Sequence, residues 1–212
     1  MNENKNEDGI KIIILGQSGV GKTNLINVFI GAEFQEYSET TTVSCIEGKI
    51  TYENKSYTYN LWDTAGQEQY RSINKLFLRN AKIILIVYSI DNRNSFNEIN
   101  YWINSVKENL GDDKYIMALV ANKSDLYDFQ EVEKEEGQET AKKYGIKFLS
   151  TSALNNRKRF QEFVNELIKN YIEKYIETEK NVNNSPNKNI IINYKLYWNV
   201  ERKFEWKGKH KA

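Results

Sequence analysis

The eight residues Gly16–Thr23 read GQSGVGKT and stand directly behind the apolar run IKIIILG. Gly16, Gly19, Gly21, Lys22 and Thr23 match G-x-x-x-x-G-K-[ST], and the flanks are those the motif needs, a strand before and a helix after. Glycine lets successive backbone N–H groups turn inward around phosphate oxygens, and the positive end of the following helix adds to the attraction. In such a loop Lys22 reaches β- and γ-phosphate oxygens and Thr23 offers its hydroxyl to Mg²⁺. The bland alternative is a glycine turn that merely starts a helix. The flanking strand and helix weigh against it.

Along the rest of the chain, short apolar runs alternate with helical patterns. Residues 10 to 15 form an expected strand, and a helix from about Lys22 to Ile30 sets Leu25, Ile26 and Phe29 on one face. VSCIEGKITY and SYTYNLW, joined at ENK, read as a hairpin. Then follow KIILIVYS, a helix over 95 to 109, YIMALVANK, a helix near 132 to 143, IKFLSTSA and a long helix from about 159 to 178. Fully apolar runs too short for helices, recurring between helices, mark an α/β fold with a mostly parallel sheet covered on both faces. The stretch TEKNVNNSPNKN reads as a linker.

Composition excludes several classes. Thirty basic residues against 29 acidic leave a net charge of +1, so no overall field points to a nucleic acid partner. Cys45 is the one cysteine, which rules out an internal disulfide, and the start MNENKNEDG lacks a signal peptide's apolar core. No apolar run approaches the roughly 20 residues that span a bilayer. These features read as a soluble intracellular protein.

Two further words fall at strand ends. ANKSD follows YIMALV at the carboxyl edge of the sheet, where open α/β folds bind ligands. A carboxylate there accepts from a ring N–H and an exocyclic amine, a pattern guanine presents and adenine does not, so Asp125 argues for guanine. TSAL after IKFLS ends another strand on that edge, where the Ala153 backbone N–H suits a guanine carbonyl.

GQSGVGKT, WDTAGQE, NKSD and TSA, in that order, resemble the Ras superfamily of small GTPases. AGQEQYRSI, VYSIDNRNSF with YW beyond it, and EEGQETAKKYGIKF are most similar to the Rab family. The resemblance covers about residues 9 to 176. It implies a P-loop G domain with a six-stranded, mostly parallel sheet, one antiparallel edge strand and helices on both faces. The domain organisation is then a disordered start (1–8), a G domain (9–178), and a linker with a basic, aromatic tail (179–212).

The resemblance also implies a site. The nucleotide-binding set is Gly16, Ser18, Gly19, Val20, Gly21, Lys22, Thr23, Asn24, Phe34, Thr41, Gly66, Asn122, Lys123, Asp125, Ser152, Ala153 and Leu154, and the Mg²⁺ set is Thr23, Thr41 and Asp63. Phe34 lies against the guanine, the stem of Lys123 covers its other face, and the Gly66 backbone meets the γ-phosphate. Gln67, with Lys22, is catalytic: it orients the attacking water. Switch I departs from the family pattern, reading SETTTVSC. Counting forward from Gly16 selects Thr41 as the switch threonine, and counting back from Asp63 selects Thr40. Thr41 is preferred, because a one-residue change is easier in the hairpin than in the phosphate-facing loop. Gln69 stands where arginine is frequent, and Leu154 where lysine is usual.

The implied activity is a molecular switch that binds GTP or GDP with Mg²⁺. No arginine can be assigned as a finger in cis, so intrinsic hydrolysis is expected to be slow, on the order of 10⁻⁴ to 10⁻³ per second by analogy with Ras. The implied partners are a GTPase-activating protein, an exchange factor and effectors reading switches I and II. Vesicle trafficking is the implied process, with a cytoplasmic location, peripheral on endomembranes. Two other readings stand beside it: a weakly cycling nucleotide-bound interaction module, suggested by TTTVS, and a Ran-like lipid-free transport GTPase.

From Asn181 onward seven basic residues face two acidic ones, a charge of +5. Ile190, Ile192, Tyr194, Leu196, Trp198 and Val200 alternate with mostly polar neighbours, a strand-like period. With Cys45 far from this end, prenylation there is not expected. The tail is read either as an unstructured extension or as a basic, aromatic contact to a protein or to anionic lipid.

Overall fold

The computed structural model describes residues 9–32, 44–63 and 77–177. Phe34, Thr40, Thr41, Gly66, Gln67, Gln69 and the tail lie outside the described residues. Among the described residues there are six strands: β1 (Ile10–Leu15), β2 (Ser44–Tyr52), β3 (Lys55–Asp63), β4 (Ile83–Ser89), β5 (Ile116–Asn122) and β6 (Lys147–Ser150). The helices are α1 (Lys22–Phe29), α2 (Arg93–Asn97), α3 (Ile99–Leu110), α4 (Lys134–Tyr144) and α5 (Arg157–Tyr171), the last continued by a π-helical turn, Ile172–Glu177.

The strands lie in the order β2-β3-β1-β4-β5-β6. β2 pairs antiparallel with β3 through the turn at Glu53 and Asn54, and every other pairing is parallel. This is the expected mostly parallel sheet with one antiparallel edge strand. Both faces are covered, which explains the unbroken apolar runs. In β1, Ile12 and Ile14 enter the core beneath α1 and α5, while Ile13 and Leu15 enter the core beneath α3 and α4. All four are no more than 1% exposed. Burying such side chains stabilises by roughly 1.5–3 kcal/mol each before ordering entropy is counted.

The helix expected over 95 to 109 is two segments meeting at Glu98, where ψ is −8°. Their anchors differ. In α2 the Ser95 hydroxyl is drawn under the end of β4 and Phe96 packs edge-on against Tyr88 at 5.0 Å. In α3 the stripe Ile99, Trp102, Ile103, Val106 and Leu110 packs on the sheet. The hydrogen bonds continue through the join, from Glu98 N–H to Asn94 O and from Trp102 N–H to Glu98 O.

Parallel strands joined through helices all end at one edge, and that edge collects the ends of β1, β3, β4, β5 and β6. No described helix is long and apolar enough to cross a membrane.

One close approach limits the core beside that edge. Gly137 of α4 lies against the Tyr88 hydroxyl and the Phe148 ring, and a Cβ there would fall 2.6 Å from Phe148 Cε2. The Tyr88 hydroxyl is fully buried and has no hydrogen-bond partner among the described residues. Gly137→Ala is therefore expected to destabilise by about 1–3 kcal/mol, overriding the roughly 1 kcal/mol of helix propensity that alanine offers. Tyr88→Phe removes only an unsatisfied hydroxyl and should be neutral or stabilising by up to about 1 kcal/mol. Urea denaturation of both variants reads the two signs.

Candidate functional site

β1 ends at Leu15 and α1 begins at Lys22. Gly16 has φ 145° and packs so closely on β4 that a Cβ would collide with the Val87 carbonyl oxygen. Gly21, the residue before α1, has φ 89°, and a Cβ there would lie 2.5 Å from Asn122 Nδ2. Conformation and space both demand glycine at these two positions. The loop between them bends back over its own start. Lys22 is 4% exposed, and its ammonium donates to the carbonyls of Gly16 at 2.8 Å and Gln17 at 2.9 Å.

These bonds lay the ammonium across the mouth of the loop, where the peptide oxygens offset part of its desolvation. Thr23 and Asn24 occupy the first turn of α1, which carries no acidic residue and no side-chain cap. The positive end of a helix favours an anion at such a position. Asp63 ends β3, 1% exposed and in register with Ile14, so parallel pairing places it beside the start of the loop.

The base-side words meet this loop through one carboxamide. Asn122, at the end of β5 and 1% exposed, donates from Nδ2 to the Val20 carbonyl at 2.8 Å and accepts at Oδ1 from the Ala153 N–H at 3.2 Å. GQSGVGKT, NKSD and TSAL are thus brought together by a side chain whose structural part was not visible in the sequence. The Ala153 N–H, expected to face a guanine carbonyl, has this internal acceptor in the described structure. Ser124 N–H donates to the Thr151 carbonyl at 3.0 Å, so the loops after β5 and β6 also share a backbone bond. Ser152 is buried, and its hydroxyl accepts from the N–H groups of Leu154 and Asn155 at 3.1 and 3.0 Å, shaping the turn. Asp125 is half-buried, and Leu154 is exposed.

Lys123 has φ 59°, and its ammonium pairs with Asp91 Oδ2 at 3.4 Å. The segment carrying Asp91 is clamped. Arg93 donates from its backbone to Glu131 Oε2 at 2.6 Å, and its guanidinium bridges both Glu136 oxygens at 2.6 and 2.8 Å. Glu136 Oε1 also accepts from the Glu133 N–H at 2.9 Å, closing the capping box of α4. The Arg93 hydrogen bonds, with help from the Glu133 N–H, pull the Glu136 carboxyl down to about 2. The expected site did not include Asp91, Arg93 or Glu136. VYSIDNRNSF and EEGQETAKKYGIKF, which contain them, carried only a family likeness.

Comparison with known proteins gives the family. The sequence matches the Ras family over residues 11–174. It is 38% identical over 190 residues to Ras-related protein Rab-11B of Dictyostelium discoideum, covering 86% of this chain and 84% of that one. It is 35% identical over 187 residues to Ras-related protein Rab2BV of Beta vulgaris, covering 86% and 87%. It is 34% identical over 187 residues to Ras-related protein RABA2b of Arabidopsis thaliana, again covering 86% and 87%.

The Arg93–Glu136 clamp makes a pH dependence. Glu136 binds its proton less tightly folded than unfolded, so the clamp's contribution is complete above the ordinary carboxylate value of 4.5 and is lost as pH falls towards 2. Both side chains are more than a third exposed, at 39% and 38%, so the contribution is held to about 1 kcal/mol. Thermal melts of the parent and of Glu136→Gln should differ at pH 6, approach one another as pH falls below 4.5 and meet only near pH 2.

Proposed function

The chain belongs to the Ras family and is a small GTPase of Rab-like type that binds guanine nucleotide, and from that premise we propose how its own residues divide the work. The observation that carries the reading is the convergence of Lys22, Asp63, Asn122 and Ala153 at one sheet edge. The residues there suit a nucleotide. A buried cation lies over the loop, and a Cβ at position 16 or 21 would strike the Val87 carbonyl oxygen or Asn122 Nδ2, so the loop keeps this shape only with glycine there.

Lys22 and the N–H groups of the loop take the phosphates, with Gly66 meeting the γ-phosphate. Ser18, Gly19, Val20 and Asn24 line the path. Asp125 accepts from the guanine ring N–H and amine. Phe34 and the stem of Lys123 flank the ring. The Ala153 N–H, which keeps its 3.2 Å bond with Asn122, also faces the guanine carbonyl. Ser152 and Leu154 hold that turn. Thr23, Thr41 and Asp63 fit Mg²⁺, a hard cation that takes oxygen ligands and completes its shell with phosphate oxygens and water. Bound there, Mg²⁺ supplies positive charge to the phosphate oxygens.

Hydrolysis then rests on position and charge. Gln67 orients the attacking water in line with the γ-phosphate, and Lys22 neutralises charge on the transferring group. No described arginine reaches this edge as a finger, so turnover alone is slow and a GTPase-activating protein supplies the missing charge. Loss of the γ-phosphate frees Thr41 and Gly66 and releases both switches, which is the signal effectors read. The process is vesicle trafficking, with the protein peripheral on endomembranes.

The base assignment is tested by Asp125→Asn, which should weaken GTP binding by roughly several kcal/mol and improve binding of xanthine nucleotides, because the exchanged donor now suits a ring carbonyl. Unchanged GTP affinity by fluorescence titration would remove Asp125 from the site. The catalytic assignment is tested by Gln67→Leu in single-turnover assays. GTP affinity should hold while activated hydrolysis slows by orders of magnitude, since the side chain meets the water and not the ground-state nucleotide. No hydrolysis by the parent even with abundant partner extract, with Gln67→Leu changing nothing, would favour a weakly cycling interaction module.

A further inference from the structure

The motif VYSIDNRNSF lies at the end of β4, beside the base loop, and the division of roles above gives it none. Its backbone is fixed from both sides. Ile90 N–H donates to the Asn122 carbonyl at 3.1 Å, and the Ile90 carbonyl accepts from Glu131 N–H at 2.8 Å and Val132 N–H at 3.1 Å. Asn92 N–H returns to the Ser89 carbonyl at 3.1 Å, and Asn92 Oδ1 caps α2 by accepting from Ser95 N–H at 3.1 Å. Ser95 Oγ in turn accepts from Ser89 N–H at 3.0 Å and donates to the Asn92 carbonyl at 2.7 Å. Asp91 sits within this turn with its carboxylate divided between two partners. Oδ1 accepts from the Ser89 hydroxyl, and Oδ2 pairs with the Lys123 ammonium at 3.4 Å. The two side chains of the ion pair are 22% and 32% exposed.

We infer that Asp91 is a positioning residue for the nucleotide, holding the ammonium end of Lys123 so that the lysine stem is already laid out where the face of the guanine rests. This rests on the assignment of Lys123 to the base. A lysine stem has four rotatable bonds, and fixing it costs rotamer entropy if it must be ordered at the moment of binding. Here the ordering is done by the fold. Asp91 cannot swing away, because Ser89 holds one oxygen and the turn is pinned to β5 and to the loop before α4. A surface ion pair between two mobile side chains contributes little because both must be ordered. This pair escapes that limit on the Asp91 side.

The consequence is specific. Asp91 touches neither the base edge nor the phosphates in this arrangement, so its loss weakens GDP and GTP alike and leaves the preference for guanine, set by Asp125, as it was. The test is the dissociation rate of fluorescent GDP and of a non-hydrolysable GTP analogue from the full chain. Asp91→Asn should speed both roughly fivefold, the range expected for losing a partly buried ion pair worth about 1 kcal/mol. Ser89→Ala, which frees the Asp91 carboxylate to turn, should act in the same direction and less strongly. In a Lys123→Met background, which keeps an apolar stem without the ammonium, Asp91→Asn should change nothing further. A merely structural part for Asp91 predicts the same acceleration in both backgrounds, and that result, or an unchanged rate in Asp91→Asn alone, overturns the inference. Failure of the parent chain to bind guanine nucleotide would overturn the assignment of the site itself, a different result on a different protein.

Discussion

The Asn122 carboxamide is the constraint on which the arrangement of this edge depends. Three loops arrive there from the ends of β1, β5 and β6, each with its own turn geometry. One buried side chain joins them by donating to Val20 and accepting from Ala153. Both bonds are buried, so removing the carboxamide would leave a buried carbonyl and a buried N–H unpaired. Its position also dictates its neighbour: Gly21 must be glycine because Asn122 Nδ2 occupies the place of a Cβ. The phosphate loop and the base loops are therefore one unit and not three neighbouring turns.

The unit concentrates positive charge where a folded chain ordinarily avoids it. Lys22 is almost wholly buried, a state costly for an ammonium without compensating groups. The Gly16 and Gln17 carbonyls reduce that cost, and the first turn of α1 contributes neither an acidic residue nor a side-chain cap. A site held this way favours an anion before any ligand arrives. Further bonds run outward from here, Asp91 tying the end of β4 to the loop after β5 and Arg93 tying it to Glu131 and Glu136 at the start of α4.

Much of the fold was legible in the sequence because a parallel sheet covered on both faces writes unbroken apolar runs, and β1, β4 and β5 do so. The hairpin was legible from its turn at Glu53 and Asn54. The helix over 95 to 109 was read as continuous, since periodicity does not register the bend at Glu98 where α2 and α3 take different anchors. The placing of GQSGVGKT, NKSD and TSAL at strand ends was legible because each follows an apolar run. Asp91, Arg93 and Glu136 were not, because an ion pair between residues more than thirty positions apart leaves no local pattern.

What the sequence determined by itself, then, was the chemistry at each strand end: glycines where φ turns positive, a lysine after them, and an amide and a carboxylate after β5. Those are properties of single residues and their immediate neighbours. Only the tertiary structure decided which of these ends meet. Parallel pairing in the order β3-β1-β4-β5-β6 sets Asp63 beside the phosphate loop, carries Asn122 to Val20 and Ala153, and brings Asp91 to Lys123. The physical reason is that hydrogen bonds and ion pairs act over a few ångströms in space, whatever the separation along the chain, and the sheet converts one separation into the other.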